Sequence, residues 1–181
     1  MKMELVCKVC WKRWAQLTPL KYRVKTLNFK PILHRYLYNW QGENPFLEEL
    51  HRYLKTTNQK LDPLLTSFIH FEKQPRKIVF IPVPGSAVSL NLAKSFQRFK
   101  GGEIHNILEW SYKMAPHKQL SKADRLKSRM VLKDPLPTVK TKTTFILVDD
   151  VVTTGATAKA VFEALSKPRG FEVWSLSCRD L

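Results

Sequence analysis

Apolar and polar positions divide the chain into two kinds of segment. Residues 77–83 (Lys-Ile-Val-Phe-Ile-Pro-Val) form an apolar run closed by Pro84-Gly85, and residues 145–148 (Phe-Ile-Leu-Val) form a second. Short runs without alternation predict strands buried on both faces, as in a parallel sheet. From Ser86 the spacing changes. Leu92, Phe96 and Phe99 recur at i, i+4 and i+7, and Gly101-Gly102 ends the pattern, which predicts a helix. Phe46, Leu47, Leu50 and Leu54 predict an earlier helix over 46–54, entered at Asn44-Pro45. Residues 104–110 and 171–177 read as further strands and 157–166 as a helix. Ser121-Lys-Ala-Asp124 is a capping-box variant that opens a helix through about Met130, after a loop over 113–120. Strands alternating with helices predict an α/β domain over 41–181, with a mainly parallel sheet flanked by helices. Residues 1–40 are aromatic, basic and without a clean period, and are expected as a small N-terminal module.

Charge changes this picture by pointing to partners. The 181 residues carry 31 Lys plus Arg against 15 Asp plus Glu, a formal charge of +16. Residues 1–40 hold nine basic and one acidic side chain, and residues 113–142 hold nine against two. Residues 41–112 (nine against seven) and 143–181 (four against five) are nearly neutral. Two basic blocks therefore bracket a neutral body, which fits solvated faces or a polyanion partner such as nucleic acid or a phosphorylated small molecule. The opening Met-Lys-Met-Glu-Leu-Val-Cys lacks an apolar signal core, and no window reaches 18 apolar residues, so a cytoplasmic protein without a membrane span is expected. Three cysteines (Cys7, Cys10, Cys178) cannot all pair, which argues against a secreted disulfide scaffold.

Candidate chemistry concentrates in Phe145-Ile-Leu-Val-Asp-Asp-Val-Val-Thr-Thr-Gly-Ala-Thr157. An apolar strand runs into two carboxylates, then a hydroxyl-rich loop with one glycine, then a helix. Ligands of open α/β sheets sit at the carboxyl ends of strands. A loop entering a helix there offers unpaired N–H groups and a positive dipole end to a phosphate. Gly155 permits close backbone approach, and Thr153, Thr154 and Thr157 add hydroxyl donors. The acids would repel that phosphate, so Asp149 and Asp150 suit a sugar diol or a Mg²⁺ ion. A Walker B strand has a similar pattern, but no G-x-x-x-x-G-K-[ST] accompanies it. A phospho-acceptor receiver domain would need a third Asp on a later strand, and only Asp180 follows. The bland alternative is a strand end whose acids cap the next turn.

The same segment resembles the phosphoribosyl pyrophosphate (PRPP) motif of type I phosphoribosyltransferases: apolar run, two acids, two residues, Thr-Thr-Gly-x-Thr. The resemblance implies that fold, with Asp149 and Asp150 holding the ribose hydroxyls. It also implies that the loop from Val151 through Thr153, Thr154, Gly155, Ala156 and Thr157 holds the 5-phosphate. Further features resemble the ComF (ComFC/GntX-like) family of competence-associated proteins: Cys7-x-x-Cys10, Tyr38-x-x-x-Gly42, Ile81-Pro-Val-Pro84 and Gln119-Leu-Ser-Lys-Ala-Asp-Arg-Leu-Lys-Ser128. That likeness spans nearly the whole chain, and the PRPP segment is its most specific part. It implies Mg²⁺ with PRPP, a pyrophosphate loop at Pro84, Gly85 and Ser86, and a flexible loop bearing Lys118, Gln119, Lys122 and Arg125. It also implies a role in natural transformation, with single-stranded DNA and other DNA-uptake proteins as partners. The alternative is an active phosphoribosyltransferase with an unidentified acceptor and no DNA role.

Two departures matter. ComF-like proteins usually carry two Cys-x-x-Cys pairs around zinc, and here only Cys7 and Cys10 are present. Zn²⁺ would therefore need His34, His51 or another subunit to complete four ligands. After Pro84 the family's basic turn is replaced by Gly85-Ser-Ala-Val-Ser-Leu-Asn-Leu-Ala93, which is uncharged. Basic residues of 113–129 (Lys118, Lys122, Arg125, Arg129) are then expected to close over pyrophosphate. His105 and His117 are candidates by residue type alone. Cys178 is expected as a small buried hydrophobe. Aromatics interleaved with cations at Trp11-Lys-Arg-Trp14 and over 34–40 suit stacking on unpaired bases or packing on the sheet.

Overall fold

The structure, a computed structural model, describes residues 23–27, 30–39, 55, 77–111, 130–136 and 143–179. In chain order the elements are β1 (Arg23–Leu27), β2 (Lys30–Asn39), β3 (Lys77–Pro82), α1 (Ala87–Lys100), β4 (Glu103–Ile104) and β5 (Leu108–Trp110). There follow β6 (Met130–Leu132), β7 (Thr143–Val152), α2 (Ala156–Ala164) and β8 (Phe171–Cys178). Six strands form one sheet in the order β1-β2-β8-β7-β3-β4, and β5 pairs with β6 in a separate antiparallel ribbon. Within the large sheet only β1 runs antiparallel to its neighbour. This is the mainly parallel α/β sheet that the unbroken apolar runs predict.

Each helix covers one face. Val79, Ile81, Phe145, Leu147 and Val173 pack with Ala158, Val161 and Phe162 of α2 and its C-cap Leu165, and with Leu108 and Met130 of the small ribbon and the adjoining Ile107. The alternate residues point the other way. Phe80 stacks on Phe96 of α1 at 6.1 Å between ring centroids, and Phe96 meets Trp174 edge-on at 5.1 Å. At these three aromatics 2% or less of the surface is exposed, and each such ring buries 150–250 Å², so this layer anchors α1. Because α1 and α2 lie on opposite faces, the strand order reverses between β3 and β7. β3 leads through α1 outward to β4, and β7 leads through α2 in the other direction to β8.

Several expected elements take a different form. The run over 104–110 divides: Glu103 and Ile104 pair with β3, and Leu108–Trp110 pairs with β6. The polar His105-Asn106 step lies between the two strands, with the His105 amide donating to Phe80 O at 2.9 Å. Met130 opens a strand instead of closing a helix, because its backbone pairs with Trp110. β7 does not stop at Val148. Val151 and Val152 continue the ladder opposite Ser177 and Cys178, so the acids lie within the strand. Arg23–Leu27 and Lys30–Asn39, within the segment expected as an N-terminal module, are strands of the same sheet as β7 and β8. The expected helix over 46–54 and the loop and helix over 113–129 lie outside the described residues. Cys178 is fully buried, as a small hydrophobe should be. Among the described residues no helix is long and apolar enough to cross a membrane.

Candidate functional site

β3 and β7 part company at one level. Pro82 is the last β3 residue in register, opposite Val148, and the next amide, Val83 N, donates to Val148 O at 3.1 Å. The chain then turns. Ser86 N donates to Val83 O at 3.3 Å, and Gly85 takes φ +80°, a left-handed conformation that glycine adopts without steric cost. Ser86 caps α1, its Oγ accepting the Ser89 amide at 3.1 Å. Pro84, Gly85 and Ser86 thus form the turn immediately beside the point where β7 carries its two acids. Beyond Val148, β7 runs on four more residues to Val152, and among the described residues β8 is its partner strand there.

Asp149 and Asp150 stand at this step in the sheet. Asp149 is buried at 7% exposure and Asp150 is half-buried. Asp149 Oδ1 accepts the Asp150 amide at 2.8 Å, and Asp150 Oδ1 accepts the Val151 amide at 2.9 Å. Each carboxylate therefore engages one oxygen with its own chain. Burial, then the neighbouring Asp150 charge, pushes the Asp149 carboxyl well above its ordinary range.

The next turn differs from the first. Thr153 and Thr154 are exposed, and Gly155 occupies the cap of α2 at φ +75° with no side-chain cap bond. Thr154 Oγ1 accepts the Ala156 amide at 3.3 Å, and Gly155 O accepts Lys159 N at 2.9 Å. Thr157 is half-buried in the first helical turn. At both entrances a hydroxyl accepts a first-turn amide, and the entrance to α2 adds further hydroxyls and a glycine that admits close approach. The structure thereby sets three of the expected groups in one region: the 84–86 turn, the acid pair, and the 153–157 loop.

Lys118, Gln119, Lys122, Arg125, Arg129 and His117 lie outside the described residues, as do Cys7, Cys10 and His51. Among the described residues no group of three or more His, Cys, Asp and Glu side chains could hold a metal ion. Two carboxylates fit a Mg²⁺ ion only if it brings water and substrate oxygens as its other ligands, which is its usual habit. His105 is committed to an exposed pair, its Nε2 2.8 Å from Glu103 Oε2. His34 is not a spare ligand at the surface. It is fully buried, with Nε2 2.8 Å from Ser175 Oγ.

Residue-by-residue reading missed one feature near the acids. His34, Ser175 and Ser177 are fully buried polar residues on β2 and β8. Ser175 pairs in register with Asp149 on one side and Tyr36 on the other. The alternating serines of Val173-Trp-Ser-Leu-Ser177 were the available signal, since they place two hydroxyls on one strand face.

The fold and site together define an α/β protein whose acid pair and two strand-to-helix turns lie at the carboxyl ends of its central strands. No family model and no curated protein matches the chain. Among solved structures it is similar to a purine phosphoribosyltransferase from Pyrococcus horikoshii, at 17% identity and a TM-score of 0.40, over 82% of this chain and 86% of that one.

Proposed function

We propose that this is a PRPP-binding, phosphoribosyltransferase-like protein of the ComF type, acting in DNA uptake and binding single-stranded DNA. One observation carries the PRPP reading. The acid pair of β7 sits between two strand-to-helix turns where the strand order reverses, the position at which open α/β sheets bind ligands. The sequence of that junction supplies chemistry for each part of the ligand. Asp149 and Asp150 present carboxylate oxygens to the ribose diol, and the 153–157 loop presents hydroxyls and helix amides to the 5-phosphate. The 84–86 turn faces the pyrophosphate. Mg²⁺, when bound with PRPP, supplies charge neutralisation for the pyrophosphate.

If turnover occurs, the acceptor displaces pyrophosphate at the anomeric carbon. The protein's task is then to hold the ribose in place and to stabilise charge on the departing group. Calorimetric titration of the full chain with PRPP and Mg²⁺ tests the reading. Heat is expected from the unmutated protein, and Asp149→Asn with Asp150→Asn abolishes it. No binding by the unmutated protein overturns the proposal. The DNA role draws on the basic blocks and the aromatics interleaved with them.

A further inference from the structure

The buried polar residues of β2 and β8 form a directed chain that ends at the acid pair. Ser175 Oγ donates to Ser177 O at 2.8 Å. A serine hydroxyl has one proton, so its 2.8 Å contact with His34 Nε2 is an N–H donated by the imidazole. Ser177 Oγ in turn donates to Asp150 O at 3.5 Å, a long bond at the limit of the interaction. Three strands are thereby linked in sequence, from the His34 ring to the backbone of the residue whose carboxylate lies at the step in the sheet.

Burying this set is costly without a return. An imidazole and two hydroxyls removed from water lose hydration that only well-made hydrogen bonds restore. An apolar side chain would satisfy the core more cheaply, as Leu147 and Val173 do in the same cross-strand row as His34. The polar residues begin one row before the acids: His34 stands opposite Val173, itself opposite Leu147, the next row of that face is Tyr36, Ser175 and Asp149, and the one after is Tyr38, Ser177 and Val151. The His34 and Tyr36 rings lie 5.1 Å apart at 31°, which restricts the imidazole further.

We infer that His34 is a positioning residue for the acid pair, acting through Ser175 and Ser177 to hold the Asp149–Val151 backbone in its ligand-receiving conformation. It touches neither ligand nor reacting atoms. Naming PRPP as the ligand in its test rests on the reading proposed above; the backbone arm does not.

The experiment compares the ¹⁵N-labelled full chain with His34→Leu and His34→Gln. The glutamine keeps an N–H donor within reach of Ser175, and leucine removes it. In the ligand-free protein, His34→Leu is expected to move the amide resonances of Asp150 and Val151, and His34→Gln to leave them near their original positions. PRPP–Mg²⁺ affinity is expected to fall roughly tenfold in His34→Leu, the scale of one lost hydrogen bond, and to recover in His34→Gln. Melting temperature separates this from a structural role, since general loosening affects both variants alike. If the leucine variant does not fold, Ser175→Ala breaks the chain at its middle with a smaller volume change and is held to the same expectations. Unmoved Asp150 and Val151 amides in a folded His34→Leu or Ser175→Ala protein overturn the inference. Moved amides in a protein that takes no PRPP leave it standing and remove the PRPP reading instead.

Discussion

Asp149 Oδ1 receives the Asp150 amide at 2.8 Å, so one oxygen of this buried carboxylate is held by the chain's own backbone. That bond favours the ionised form, but burial and the Asp150 charge act more strongly in the opposite direction. The first prediction follows from this balance. A carboxyl whose folded pKa is raised binds its proton more tightly folded than unfolded. Its contribution to stability is greatest below the ordinary value of 3.8 and is lost as pH rises through the higher folded value. Without ligand, Asp149→Asn is therefore expected to raise the melting temperature at pH 7, with the gain shrinking toward pH 4. Melting curves across that range check it, and a gain that grows on acidification contradicts it.

Gly155 holds φ +75° at the mouth of α2. Alanine there incurs roughly 1 kcal/mol for a left-handed conformation and, on the proposed reading, places a methyl group where the 5-phosphate approaches. Gly155→Ala is expected to lower stability by about that amount in denaturant titrations. It is also expected to weaken PRPP binding by more than the stability loss would suggest.

Glu172 serves two partners at once. Its Oε2 accepts Arg35 Nε at 2.7 Å and Trp174 Nε1 at 2.9 Å, and the ionic side chains are only 12% and 16% exposed. Glu172→Ala leaves Arg35 with a partly buried charge, for which a cost of about 2 kcal/mol is expected. The exposed Lys77–Glu103 pair is the control. Its side chains are 40% and 49% exposed, and Glu103→Ala should leave the unfolding midpoint where it was.

For nucleic acid, the basic blocks predict salt dependence. Single-strand affinity should fall with a log–log slope of about 0.7 per neutralised phosphate. Replacing the basic residues of 113–129 together with those of 8–35 should flatten that slope. A flat response in the unmutated protein removes the DNA role.

Local pattern made the central layer legible. The strand at 77–82, the helix after Ser86 and the helix near 156 begin and end within about two residues of where periodicity and turn residues put them. The acid pair and the threonine loop were legible for the same reason, since one short segment carries both. The continuation of β7 through Val152 was not, because it depends on Ser177 and Cys178 of another strand offering a ladder. Nor was the place of β2. Its apolar and polar residues follow a pattern that makes sense only beside β8, and nothing near His34 in the sequence points to Ser175, 141 positions away.

That separation bears on how the molecule is made. β2 emerges from the ribosome long before β8, and until β8 arrives β1 and β2 pair, among the described strands, only with each other. An isolated hairpin is marginal in water. The Arg35–Glu172 and His34–Ser175 bonds, spanning 137 and 141 positions, form only after almost everything between them has been synthesised. Closure of the sheet, completion of the aromatic layer at Trp174 and alignment of the acids thus fall together at a late step. A nascent chain stalled before Phe171 holds the whole 153–157 loop without the β8 ladder that carries β7 beyond Val148.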